Sequence, residues 1–207
     1  MVKKPGSLWP KTKFLWIFCL FPVGAWAHPG HGEGFLAGLL HPLTGVDHLL
    51  AMVSVGWIAV RMGGAWRWAL PSLFVAVLAA AAVLGVSGLR VSFTESMVAS
   101  SLLAFAAMVA RRPVDTSFAT SAARSLSLGL TLGGVALFGF FHGLAHGAEI
   151  GGHSRLPFFA GFSIASVGLH GVGIFLGLVM TRAQLGRPAD FAFAGLMTVV
   201  GSALLLG

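Results

Sequence analysis

Of the 207 residues, 57% are hydrophobic and 9% charged, with a mean hydropathy of +0.90. A soluble domain carries about a quarter charged residues, so the composition argues against a water-soluble globule. The formal charge of +7 does not point to nucleic acid, because the arginines lie in short loops and no basic cluster is interleaved with stacking aromatics.

Apolar runs near 20 residues long recur along the chain, the pattern of an all-α, multi-pass integral membrane protein embedded in the lipid bilayer. Residues 1–27 have the parts of a cleavable signal peptide. Lys3, Lys4, Lys11 and Lys13 precede an apolar stretch from Phe14 to Gly24, and Ala25-Trp26-Ala27 fits the A-x-A cleavage pattern. That apolar stretch is short for a membrane span, which needs about 20 residues. The single cysteine, Cys19, follows bulky Phe18 and does not resemble a lipid-attachment site. Removal of the signal leaves no cysteine, so any metal site must use His, carboxylate, backbone or Met.

Residues 28–207 are then expected to form one domain of six transmembrane helices, near 35–60, 66–88, 93–110, 125–149, 156–180 and 190–206, with the N-terminus outside. The loops agree with that orientation. Arg61, Arg67, Arg111, Arg112, Arg124, Arg182 and Arg187 fall on the cytoplasmic side, against Arg90 and Arg155 outside, as the positive-inside rule requires. Gly139, Gly143, Gly147 and Gly151 recur every fourth residue on the fourth expected span, and Gly173 and Gly177 repeat the spacing on the fifth. Such faces let a neighbouring helix approach closely. No internal repeat or second domain is visible.

Against this apolar background, ionisable groups at membrane depth are costly unless paired or solvated, and mark function by default. His41-Pro42-Leu43-Thr44-Gly45-Val46-Asp47-His48 places two imidazoles and a carboxylate in the first span. His41 and His48 share a face but stand roughly 10 Å apart on a straight helix, too far to share one ion. Pro42 removes a backbone donor and Gly45 loosens the turn, so a kink or break is expected there. In the fourth span, His142 and His146 are four residues apart and point the same way, and Glu149 falls in the same arc. Counted from outside, Glu149 lies at the rim and His146, His142 and His41 one to two turns down. Asp47, His48 and His170 on the fifth span lie near the midplane. His28, His31 and Glu33 at the mature start stand at the mouth, and Glu95 near the outer end of the third span. This descending order reads as a path rather than one closed cage.

Each residue also has a plainer explanation. A single intramembrane His is commonly a helix-to-helix hydrogen bonder, which is how His170 reads by itself. Asp47 and His48 alone would make a local structural pair, Glu95 suits a helix start, and His153 lies in a loop. The methionines show no cluster. It is the paired helical spacing of five histidines with two acids that favours a functional site. Imidazole and carboxylate without thiolate suit Ni²⁺, Co²⁺, Zn²⁺ or Cu²⁺ rather than Mg²⁺ or Ca²⁺, and affinity order does not choose among them.

Two motifs, His41-x5-Asp47-His48 and Phe141-His142-Gly-x-Ala-His146-Gly-x-Glu149, resemble those of the HupE/UreJ family of nickel and cobalt permeases. The His-Pro-Gly-His start and the Gly161-Phe162 … Leu169-His170-Gly171 stretch add to the likeness, which extends over nearly the whole mature chain. The resemblance implies secondary uptake of a metal, usually Ni²⁺ and in some members Co²⁺. The metal is transported substrate, with no organic cofactor. It supplies hydrogenase, urease or cobalamin synthesis. The motif match implies His41, Asp47, His48, His142, His146 and Glu149 as functional residues.

The reading from sequence is therefore a non-enzymatic inner-membrane permease, as a monomer or homo-oligomer. His28, His31 and Glu149 would capture the ion, His41, His142 and His146 would transfer it, and Asp47, His48 and His170 would pass it on. No Walker A motif is present, and an inside-negative potential supplies about 2.3 kcal/mol per charge per 100 mV. Protonation of the imidazoles is expected to slow uptake below about pH 6. Two alternatives stand beside it: a membrane-embedded metal-dependent hydrolase, against which the H-x-x-x-H lacks the Glu of H-E-x-x-H, and a metal-binding accessory subunit.

Overall fold

The computed structural model describes residues 34–111, 120–149 and 155–207. The expected signal peptide, His28, His31, Glu33 and His153 lie outside the described residues, as does the side chain of Glu149. The described residues form seven helices and no strand: α1 (Phe35–Thr44), α2 (Val46–Met62), α3 (Trp66–Val86), α4 (Thr94–Ala110), α5 (Ser121–Glu149), α6 (Arg155–Arg182) and α7 (Gly186–Leu206). Each of the six expected segments is helical, but the first is two helices. They meet at Gly45 at an angle of 84°. By length and hydropathy α3, α5, α6 and α7 suffice to cross a membrane, and the bent α1–α2 pair adds a fifth if it is one span. Helix α4 is apolar but shorter, at 17 residues.

Helix α2 is the central rod. Every residue from Leu50 to Val60 is buried, as expected of a helix that is apolar on all sides and surrounded by others. Small residues decide what lies against it. A Cβ on Gly173 of α6 would meet the Val53 carbonyl of α2, and one on Gly56 would meet the His170 carbonyl, so the two backbones nearly touch. The glycine face on α5 has its counterpart on α3. Gly139, Gly143 and Gly147 rest on Phe74, Leu78 and Ala82, themselves spaced by four, so two ridges run in register. Gly151, the last of the sequence series, lies outside the described residues. Helix α1 packs along α6, with Gly38 against Phe158 and Gly161 against Phe35, and α4 packs along α7. These contacts bring α1, α2, α5 and α6 around one interior point.

Candidate metal site

The break at Gly45 builds the site. Gly45 is extended (φ −90°, ψ 116°), which ends α1 three residues after Pro42. The Thr44 hydroxyl donates to the His41 carbonyl at 2.8 Å, giving a partner to a carbonyl of the terminating helix. The Gly45 carbonyl accepts from Leu49 N–H at 3.0 Å and so opens α2. The bend brings the ring centroids of His41 and His48 to 6.1 Å, closer than the separation of roughly 10 Å for a straight helix.

Asp47 lies in the first turn of α2, where a negative charge complements the helix dipole. Its Oδ1 accepts from the backbone N–H of His48 at 2.8 Å and from His48 Nδ1 at 2.7 Å. In the neutral imidazole this places the lone pair on Nε2, the arrangement in which a carboxylate orients a metal-binding histidine. His142 is set in the same way by a different acceptor. Its Nδ1 donates to the Phe138 carbonyl one turn back at 2.9 Å, so its Nε2 also carries the lone pair. That Nε2 is buried and has no hydrogen-bond partner among the described residues.

His146, one turn along α5, lies between the two halves. Its Nδ1 is 3.0 Å from His41 Nε2, and its ring centroid is 4.6 Å from His41 and 4.4 Å from His48. His48 and His142 are 5.0 Å apart. Four imidazoles from three helices are therefore in ring contact. The 84° bend at Gly45 lets His41 from one helix and His48 from the next meet the same α5 pair, so the residues expected along a path touch in one cluster. His142 and His146 are almost completely buried, at 0% and 2% exposure. Among the described residues no group of three or more His, Cys, Asp or Glu side chains is already disposed around one ion; the rings contact one another instead.

Aromatic walls enclose the cluster. Phe162 lies 4.5 Å from His146 and 6.0 Å from His41, and Phe158 lies 5.6 Å from His41. Phe74 stands 5.7 Å from His142 and 5.3 Å from His170. His170 is thus near the cluster but behind a phenyl ring. It is 2% exposed, and neither ring nitrogen has a hydrogen-bond partner among the described residues. Glu95 is on another surface, in a hollow of about 260 Å³ beside Arg90, Leu144 and Ala148. Phe162 belongs to the Gly161-Phe162 stretch that resembles the family, whereas Phe74 and Phe158 stand in no motif.

Fold and cluster together define a polytopic α-helical membrane protein with an imidazole and carboxylate site inside its bundle. The family model described as HupE / UreJ protein matches residues 16–205. The chain is 36% identical over 189 residues to Protein HupE of Rhizobium leguminosarum bv. viciae, covering 90% of this chain and 92% of that relative. The chain therefore belongs to the HupE/UreJ family, as the two motifs implied. No solved structure matches it.

Proposed function

We propose that this chain is an inner-membrane permease with six crossings that takes up a divalent transition metal ion, Ni²⁺ first and Co²⁺ as the alternative. The observation that carries the reading is the Asp47-oriented His48 in ring contact with His142 and His146 inside the bundle. Membership of a family associated with nickel and cobalt uptake supports the cargo. Imidazole nitrogens suit these ions as ligands, and the nearby carboxylate offsets their charge.

The geometry favours hand-over between ligands. Adjacent rings with centroids 4.4 to 5.0 Å apart let an ion acquire a new ligand before losing the last one. His28, His31 and Glu149 capture the ion, and His41, His48, His142 and His146 receive it. His170, beyond Phe74, is the next ligand inward. The membrane potential drives the positive charge inward. No enzymatic step is assigned, and the metal delivered serves hydrogenase, urease or cobalamin synthesis.

The test is uptake by sealed liposomes holding the purified protein alone, with Ni²⁺, Co²⁺ and Zn²⁺ offered separately under an inside-negative potential. Uptake of Ni²⁺ or Co²⁺ that is lost in both Asp47→Asn and His146→Ala is the expected result. Binding without uptake overturns the permease reading in favour of an accessory role.

A further inference from the structure

At the far end of α2 from the imidazole cluster, one buried carboxylate joins three helix ends. Asp190, in the first turns of α7, is 1% exposed. Its Oδ1 accepts from the Trp57 indole N–H at 2.8 Å and from Arg61 Nε at 2.9 Å, and its Oδ2 accepts from Arg61 Nη2. Arg187 Nη1 is 3.8 Å from the same Oδ2 and donates to the Ala110 carbonyl at the end of α4 at 3.0 Å. Arg61 lies in the last turn of α2, thirteen residues after His48 and so roughly 20 Å along the axis.

A buried ion pair is a poor way to stabilise a fold, because desolvation cancels most of the attraction and a packed apolar pair does as well or better. A pair of this kind is better suited to a junction that has two states. Asp190 is bound by Arg61 through both oxygens, while the Arg61 side chain is partly exposed, at 22%, against 2% for that of Asp190. Water can therefore reach one partner and compete for it. Val60 precedes Arg61 on α2, is buried, and fills the space over Gly177 of α6. The ion pair thus ties the start of α7 to the end of α2, one residue along from the Val60 contact with α6.

We propose that Asp190, gripped by Arg61 and Trp57, is the gate that shuts the end of the bundle opposite the imidazole cluster, and that parting of this clasp opens the way out for the ion. The ion's exit rests on the permease reading, whereas the clasp itself can be tested without metal.

The experiment uses the full chain in liposomes with Cys19→Ser and Val60→Cys, and measures labelling by a membrane-impermeant thiol reagent from the Asp190 side without metal. Asp190→Asn, which keeps the shape, and Arg61→Gln, which acts from the other helix, are each expected to speed labelling about tenfold, the scale set by losing charge-assisted bonds. Asp190→Glu, which keeps the charge, is expected to stay near the parent rate. A cysteine at Ser166, fully buried in α6 one turn from Phe162, is expected to remain unlabelled throughout. Unchanged labelling at Val60→Cys in Arg61→Gln overturns the gate, and so does labelling at both cysteines, which signifies a loosened bundle. If the parent protein takes up no metal while the labelling contrast persists, the permease reading fails and the clasp stands.

Discussion

Asp47 Oδ1 accepts the Nδ1–H of its sequence neighbour His48 at 2.7 Å, and this one bond decides which nitrogen of His48 has a lone pair to offer. Neighbouring residues on a helix normally point about 100° apart. Here the carboxylate folds back over the first turn of α2, where it also takes the His48 backbone N–H at 2.8 Å.

Loss of that orientation should cost function more than fold. Asp47→Asn is expected to lower Ni²⁺ affinity or transport by about 10- to 100-fold, the range for partners that orient a metal-binding histidine. Thermal unfolding in detergent should change little beside that loss. A variant that transports normally would show that His48 needs no such partner.

The turn residue itself is tightly constrained. A Cβ on Gly45 would lie 2.8 Å from Asp47 Oδ1 and 3.0 Å from His48 Nδ1, so Gly45→Ala must displace the pair. Its backbone angles are accessible to alanine, which makes the collision the cause. Uptake by Gly45→Ala should fall to the level of Asp47→Asn, and the double variant should be no worse than either alone. Additive losses would refute this shared cause.

Bound metal should stabilise the fold. Ni²⁺ at about 100 times its Kd is expected to raise unfolding stability by about 2.7 kcal/mol. His142→Ala or His146→Ala should abolish that gain. An equal nickel-dependent shift in the wild type and in both variants would move the binding site elsewhere.

The α3–α5 seam offers a test of packing apart from chemistry. Gly143→Ala brings a methyl onto the Leu78 backbone, whereas Gly133→Ala on the same helix meets nothing within 4 Å. The first should destabilise by about 1–3 kcal/mol and the second stabilise by up to about 1 kcal/mol, as alanine does for an open helical glycine. Urea or thermal unfolding of the two proteins in the same detergent gives the comparison.

Much of this arrangement could be read from local spacing. The four-residue repeats predicted a close helix contact, and α3 provides it with a repeat of its own through Phe74, Leu78 and Ala82. Pro42 and Gly45 marked a break, and the break is there. The direction and size of the bend were not legible, since they depend on the packing of α1 against α6. The cluster of four rings therefore could not be foreseen from a straight-helix projection, which set His41 and His48 roughly 10 Å apart. Phe74 and Phe158 are ordinary apolar residues in the sequence and become walls only in three dimensions, and Phe162 stands out there only through the family likeness. Asp190 was passed over for another reason: a lone acid early in an apolar run resembles a helix-start charge, and its partners Trp57 and Arg61 are more than 120 residues away in the chain.

The 84° bend has one more consequence. His41 belongs to a short helix bedded on α6, while Asp47 and His48 belong to the central rod and His142 and His146 to α5. A single extended glycine is the only covalent link between the first of these groups and the second. Rotation about the Gly45 backbone would move His41 relative to His146 without breaking the bond between Asp47 and His48. Three of the four rings thus stand on α2 and α5 and the fourth on α1, so the number of ligands an ion can hold at once depends on where α1 rests against α6.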